Sequence, residues 1–477
     1  MNKFISAVKK NKVYLVALVL SILVALVIGA ILMMATGFNP LQGYGAMLKG
    51  AFGNSRVLGN TIAKALTLML TALGMAVAAK AGMFNVGGEG QLFLGGLAAT
   101  VVGIYMEGMP PIIAVPCAFL AAMIAGGFYA WIPAILRVKI QVSEVITTIM
   151  LNSVAILVCK WLVNSGGPLV TADKGVLGGS DAVPAAFAFS KIIPKSNLST
   201  AIIYAAIIAF ICWYMMEKTS TGLEMKVTGE NERFAFFSGL DAGKIMIWSM
   251  IASGAICGLV GMFEVYGYQT RFMDSISNEF YYDGMLVAMI MNYNPIGIII
   301  MSFFFAIIDI GATAMEFKVG ISGEISEIIF AVIVLLMAAQ GGITRSWQNK
   351  RTQKMAKEKM INLTINGLAV QAPEGTTILE AARMNGIHIP SLCYLKNINE
   401  IGACRMCIVE IEGRRGFVPS CITKVEDGMK IKTDTQCLLV VKRVQLRTGQ
   451  MPGPVVLHLI MQQHSGLVLI SLDSHLV

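Results

Sequence analysis

The chain is 477 residues long, 56% hydrophobic and only 14% charged, against roughly 25% charged in an ordinary soluble domain. That depletion excludes a single water-soluble domain and makes membrane lipid the solvent for much of the chain. The formal charge of +9 could suit nucleic acid, but the basic residues flank long apolar runs instead of forming one soluble face, so they follow the positive-inside rule and no nucleic-acid partner is expected.

A membrane-crossing helix needs about 20 mostly apolar residues. Nine segments qualify or come close: 13–34, 62–79, 92–106, 112–136, 145–163, 201–216, 245–265, 298–314 and 325–339. The first is too long, and lacks a small-residue cleavage site, for a secretory signal, so it is expected to stay attached. Lys9, Lys10 and Lys12 precede it, and Arg345, Lys350, Arg351, Lys354, Lys357 and Lys359 follow the last. Both ends are therefore expected in the cytoplasm, which requires an even number of spans. Residues 285–291, just before Asn292, Asn294 and Pro295, supply the tenth as a short or broken helix. Arg137, Lys139, Lys218, Lys226, Arg233 and Lys244 then fall inside, while the long segment 164–193, with only Lys174 and Lys191, faces outward. The expected fold over 1–345 is an all-α polytopic membrane bundle of about ten transmembrane helices in pseudo-repeated halves. Cys117, Cys159, Cys212 and Cys257 lie singly in apolar spans and read as small core residues.

Polar groups inside a membrane are costly and usually functional. They concentrate in GMFNVGGEGQ at 82–91 and YDGMLVAMIMNYN at 282–294, each interrupted by Gly or followed by Pro, one in each half. Paired interrupted segments mark a central binding site in repeat-built transporters; glycines that let helices pack closely explain the pattern equally well. Phe84, Asn85, Glu89, Gln91, Asp283 and Asn292 are the candidate solute contacts, with Glu89 open also to a structural role.

GMFNVGGEGQ resembles the signature of membrane subunits in the branched-chain amino acid, simple-sugar and nucleoside class of ABC importers. TSTGLEMKVTGENERFAFFSGLD, 219–241, resembles the cytoplasmic loop of that family through Thr221-Gly222, Gly229-Glu230-Asn231 and Ser238-Gly239, with Met225 or Lys226 where an Arg is usual. YDGMLVAMIMNYNPIG is similar to a third element, and the three occur in the right order within about 1–345. The resemblance implies the permease subunit of an ATP-driven importer in the plasma membrane of a prokaryote, a transport subunit and not an enzyme. It makes the loop, with Gly222, Glu224, Gly229, Glu230, Asn231 and Gly239, the coupling helix that docks on a separate ABC ATPase subunit. Without it the loop would read as an ordinary solvated amphipathic helix. The chain has no G-x-x-x-x-G-K-[ST] phosphate loop, so ATP is expected to act only through that partner. The family implies a second permease subunit and an extracytoplasmic substrate-binding lipoprotein. NSGGPLVTADKGVLGGSDAVP resembles the external loop of nucleoside permeases more than that of sugar permeases. A nucleoside, uncharged and flat with hydrogen-bonding edges, is the expected solute.

A basic linker over 346–359 ends the membrane region. MINLTINGLAV then alternates around Asn366-Gly367, a hairpin signal, and ILEAARMNG reads as a short helix closed by Gly386. Cys393, Cys404, Cys407 and Cys421 have the spacing C-x10-C-x2-C-x13-C. Four thiolates so arranged can hold a [2Fe–2S] cluster or zinc. Residues 360–433 resemble the N-terminal [2Fe–2S] domain of the large subunits of NADH dehydrogenase and iron-only hydrogenase, which implies a small α+β, ferredoxin-like β-grasp domain that relays electrons. The resemblance stops there: over 434–477 Cys437 stands alone, and His458 and His464 lack the cysteines that should accompany them. This unassigned tail reads like a shifted frame. Met360 is itself a plausible start residue, so the joint reads as a fusion of neighbouring sequences, with a redox-coupled transporter as the alternative.

Two other functions compete. A membrane-anchored electron-transfer protein is one. Haem in its membrane part is disfavoured, because all four histidines (His388, His458, His464 and His475) follow residue 387. An ion-coupled secondary transporter is the other, with Asp309, Glu264 and Glu316 as proton sites; the 219–241 loop argues against it, since such a transporter needs no ATPase dock.

Overall fold

The computed structural model describes residues 20, 23–164, 166–173, 176, 178–321, 328, 331, 332, 335, 360–391, 394, 402, 404–414, 416–435 and 438. The chain divides into two units, Met1–Thr344 and Arg345–Val477.

In the first unit the helices are α1 (Leu23–Ala35), α2 (Pro40–Phe52), α3 (Ser55–Lys80), α4 (Gly88–Tyr105), α5 (Pro111–Ile135), α6 (Glu144–Val163), α7 (Ala201–Lys218), α8 (Ser220–Glu230), α9 (Glu232–Phe237), α10 (Ala242–Glu264), α11 (Phe280–Ile290) and α12 (Pro295–Val319). Helices α5 and α10 run on as π-turns, Leu136–Ile140 and Val265–Gln269. Polar residues set the starts: Asn39, Asn54, Thr219, Asn231, Asp241 and Asn294 each accept a backbone N–H from the first turn they precede.

Among the described residues six helices, Ser55–Lys80, Pro111–Ile140, Glu144–Val163, Ala201–Lys218, Ala242–Gln269 and Pro295–Val319, are long and apolar enough to cross a membrane. The expected spans 13–34 and 325–339 lie partly or mostly outside the described residues. The proposed tenth span is the 11-residue α11, about 16 Å long at 1.5 Å per residue against a hydrocarbon core of about 30 Å. Helix α2 was not expected, because Gln42, Lys49 and three glycines dilute its apolar residues. The 219–241 loop, read as one helix, is two: Asn231 breaks α8 and caps α9 by accepting from the Phe234 N–H.

Small residues bring the central helices together. Along α5, Ala114, Ala118, Ala122, Ala130 and Ala134 are fully buried, with Gly126 on the same stripe. A Cβ on Gly254 or Gly258 of α10 would strike the backbone of that stripe, and one on Gly95 of α4 would strike Gly258. Backbones this close exchange side-chain volume for dispersion contacts, the usual packing of helices in lipid. Between α6 and α7 the chain is not only loop: β1 (Gly179–Ala182) pairs antiparallel with β2 (Arg271–Met273), and Phe189 packs on Tyr204, Phe263 and Tyr266 with ring centroids 5.5, 6.1 and 6.1 Å away.

The second unit carries β3 (Met360–Ile365), β4 (Leu368–Pro373), α13 (Ile378–Met384), β5 (Ile408–Ile411), β6 (Phe417–Pro419) and β7 (Lys430–Lys432). The sheet order is β4-β3-β7-β5-β6, with β3 and β7 parallel and the other pairs antiparallel. Asn366 and Gly367, at φ 54° and 81°, form the two-residue turn of the first hairpin, and Gly386 at φ 72° follows the helix end. Ile361, Leu363, Ile365, Val409 and Ile431 of the strands bury against Ile378, Leu379 and Ala382 of the helix.

Candidate functional site

Three features of the first unit carry polar chemistry. The first is built on residues 82–91, which leave helix after Lys80 and re-enter it at Gly88. Asn85, Glu89 and Gln91 are buried. The Asn85 amide donates to Gln91 Oε1 and Ser253 Oγ, both at 2.9 Å, while its Oδ1 accepts from Gln91 Nε2 and Gly87 N at 3.1 Å. Glu89 accepts from the Tyr281 N–H at 3.0 Å, and the Tyr281 hydroxyl donates to the Asn85 carbonyl. Asn152 accepts from the Gly90 N–H and donates to the Tyr282 hydroxyl at 2.8 Å. Gly88 has no room for a Cβ against the Tyr281 ring, nor Gly284 against Thr71. The two motif segments expected to meet do so through Tyr281 and Tyr282, which sequence reasoning had not singled out. Phe84 is half-buried on the core. Asp283 is half-buried on α11, and Asn292 is exposed in the left-handed turn after it, at φ 49°.

The second feature is a cavity of about 130 Å³ between α3, α7, α10, α11 and α12, lined by Asn60, Lys64, Thr67, Glu264, Tyr268 and Phe280 among others. Thr67 donates to Glu264 at 2.7 Å. Lys64 lies 2.8 Å from Asp309 and 4.1 Å over the Phe280 ring. Asn60 accepts from the Asn197 N–H at 2.8 Å, and Lys191 donates to the Gly267 carbonyl at 2.7 Å. Burial draws the Lys191 ammonium below the ordinary lysine range, against the opposing pull of Glu264. Of these, only Glu264, Asp309 and Lys191 drew notice in the sequence; Asn60, Lys64 and Thr67 share a helix face at i, i+4, i+7, the signal that could have found them.

The third feature is the surface of α8 and α9. Gly229 and Gly82 meet so closely that a Cβ on either would run into the backbone of the other, so the loop bears directly on the end of α3. Gly222 is buried, Glu224 half-buried, Glu230 and Gly239 exposed and Asn231 the cap between the helices. Leu223, Phe236 and Phe237 are 63%, 71% and 63% exposed. The two phenylalanines flank a groove of about 1130 Å³ that continues to Asp241 and Val138. Hydrogen bonds from Lys244 hold the Asp241 carboxyl below the usual carboxylate range.

In the second unit the β5–β6 hairpin brings the Cys421 turn to Cys407, whose carbonyl accepts from the Ser420 N–H at 2.9 Å. Cys404 precedes Cys407 by three residues, with the left-handed Arg405, at φ 54°, between them. The Ile378 and Leu379 N–H groups at the start of α13 donate to the Thr423 and Ser420 carbonyls, tying the helix to the same turn. Cys393 and Cys437 lie outside the described residues, and among the described residues no three His, Cys, Asp or Glu side chains form a metal-binding group. The sulfur donors themselves suit iron–sulfur or zinc chemistry.

Residues 57–338 match the family described as branched-chain amino acid transport system / permease component, and residues 358–436 match the 2Fe-2S iron-sulfur cluster binding domain. The guanosine ABC transporter permease protein NupP of Bacillus subtilis is 30% identical over 335 residues, 70% of this chain and 96% of that protein. The nucleoside ABC transporter permease protein NupB of Lactococcus lactis subsp. cremoris is 33% identical over 337 residues, 69% of this chain and 92% of that one. The C-terminal segment is 45% identical over 93 residues to the NADP-reducing hydrogenase subunit HndD of Solidesulfovibrio fructosivorans, covering 18% of this chain but only 16% of that subunit.

Proposed function

Because the chain belongs to the branched-chain amino acid transport system / permease component family, we propose that it is the permease subunit of an ATP-driven importer that moves a small polar solute, a nucleoside, across the cytoplasmic membrane. The observation that carries this reading is the surface of residues 219–241. Leu223, Phe236 and Phe237 stand exposed among charged residues, on helices that bear on the end of α3 through Gly229 and Gly82. An exposed apolar patch rimmed by charge is what a protein partner covers. Motion of that partner would reach α3 without an intervening loop.

The partner is a separate ATPase subunit that docks on the loop carrying Gly222, Glu224, Gly229, Glu230, Asn231 and Gly239, with Glu230 and Gly239 exposed to it. The printed names of the two permease relatives support a nucleoside as solute. A second permease subunit and an extracytoplasmic substrate-binding lipoprotein complete the assembly. Ten spans in pseudo-repeated halves, with both ends cytoplasmic, are the topology that goes with it. In the C-terminal segment, Cys393, Cys404, Cys407 and Cys421 would hold a [2Fe–2S] cluster in a β-grasp domain; the sulfur-only donor set and the β5–β6 hairpin support the fit. When bound, the cluster supplies one-electron transfer. That segment also keeps a second reading in play, electron transfer at the membrane.

Reversing charge at the exposed Glu230 is the test. Glu230→Arg is expected to weaken association with the ATPase by about tenfold and to lower uptake with it. Normal uptake together with normal ATPase co-purification in the variant would refute the docking assignment.

A further inference from the structure

We infer that the cavity between α3, α7, α10, α11 and α12 is a solute site of the importer, in which Glu264 accepts a hydrogen bond from an N–H of a nucleoside base lying beside Phe280 and Tyr268. This rests on the importer reading above. The cavity differs in kind from the buried motif at Asn85. There the polar side chains satisfy one another across residues 85, 91 and 253, and glycines remove the space a ligand would need. Here Thr67 is the one hydrogen-bond partner of Glu264 among the described residues, and the carboxylate faces open volume. A carboxylate can accept several hydrogen bonds, so Glu264 has acceptor capacity to spare inside a span, where an ionisable group is costly and usually functional.

The surroundings suit a flat solute that donates hydrogen bonds. Phe263, Tyr268 and Phe280 supply aromatic wall, and Asn60 and Thr67 supply amide and hydroxyl. Lys64 is paired with Asp309 at 2.8 Å and caps the Phe280 ring, and Lys191 donates to the Gly267 carbonyl at 2.7 Å and stands 5.6 Å over the Tyr268 ring, so both of these ammonium groups are already engaged by groups of the protein. The backbone beside Glu264 is irregular: the π-turn Val265–Gln269 begins at the next residue, and Thr270 and Glu279 hold φ of 62° and 58° without being glycine. Such turns and such residues gather at binding sites. At about 130 Å³ the cavity is below the roughly 300–1,000 Å³ of sites for drug-sized ligands. It would take the base ring as it stands and open around the ribose during transport.

Location fits the same role. Lys64 and Lys80 are both on α3, about 24 Å apart at 1.5 Å per residue. The cavity thus lies toward the far end of the helix that carries the α8 contact, beside the turn at Asn197–Ser199.

Uptake of tritiated guanosine, with tritiated glucose as the second probe, tests the assignment in proteoliposomes holding the full chain with its ATPase and saturating binding protein. Glu264→Gln, which keeps an acceptor oxygen but removes the charge, is expected to cut the guanosine rate by about tenfold, the difference between a charged and a neutral hydrogen bond, while the amount of assembled complex stays at the unsubstituted level. Tyr268→Ala, at a position 50% exposed and so tolerant of truncation, is expected to slow guanosine in the same way and serves if Glu264→Gln does not assemble. Guanosine rates within about twofold of the unsubstituted protein in both variants would overturn the site, leaving the importer intact. Uptake of glucose alone would overturn the nucleoside class. Uptake of neither probe by the unsubstituted assembly would bring down the importer reading itself.

Discussion

Asn85 uses all the hydrogen-bonding capacity of its amide inside the protein, donating twice at 2.9 Å and accepting twice at 3.1 Å. Asn85→Ala would leave Gln91 and Ser253 buried without their partner, at about 1–3 kcal/mol for such groups. The expected outcome is a lower unfolding temperature of the detergent-solubilised protein, with any loss of transport following the loss of folded protein. An unchanged melting temperature with a specific fall in guanosine transport would return Asn85 to the solute path. The residue types of this site were legible in the sequence, since Asn, Glu and Gln stand out in an apolar run. Their partners were not, because Ser253 and Tyr281 come from segments that pattern alone does not bring to Asn85 and Glu89. Lys64 escaped for a different reason: near the start of a span, a lysine reads as a flanking charge, and only its pairing with Asp309 reveals it as part of the bundle.

Among the elements, the contact between α8 and the end of α3 is the one most exposed to a single change. Gly229 lies on the Lys80 carbonyl and the Gly82 N–H, and Gly82 itself holds φ 80°. Gly229→Val would force the backbones apart, at about 1–3 kcal/mol for overpacking. If α8 transmits ATPase motion to α3, this variant keeps the exposed face of Phe236 and Phe237. The ATPase should then co-purify normally while transport falls, the reverse of Glu230→Arg, in which both should fall together. Comparing pull-down yield with uptake rate in the two variants separates docking from transmission; equal transport in Gly229→Val and the unsubstituted protein would remove the transmission role. Helices whose apolar residues run unbroken, such as α6 and α7, were read within a few residues of their observed ends. The shorter α2 and the division of 219–241 at Asn231 were not, since glycines and charges hide the first and the second depends on a single side-chain cap. The Asn366-Gly367 hairpin and the helix ending before Gly386 were legible because each depends on residues adjacent in the chain.

At the scale of the whole molecule, two units with separate cores share one chain. The second has its own buried cluster, from Ile361 to Ile431, that includes Cys407 and Cys421. A permease driven by ATP has no step that consumes an electron, so the thiols and the transport path should be separable by mutation. Cys407→Ser is nearly isosteric and removes one soft donor. It is expected to lower bound iron and the visible absorption of a [2Fe–2S] centre in the purified chain, and to leave guanosine uptake within about twofold of the unsubstituted protein. Intact mass measured on the protein from native membranes bears on the same question. A species of 51.2 kDa with iron bound means that the cell makes the joined chain, whereas one ending near Lys359 assigns the thiols to another protein. If the joined chain is present and Cys407→Ser slows uptake at an unchanged amount of assembled complex, the cluster and the pore are coupled. The redox-coupled transporter, the alternative to a fusion of neighbouring sequences, would then be the correct description.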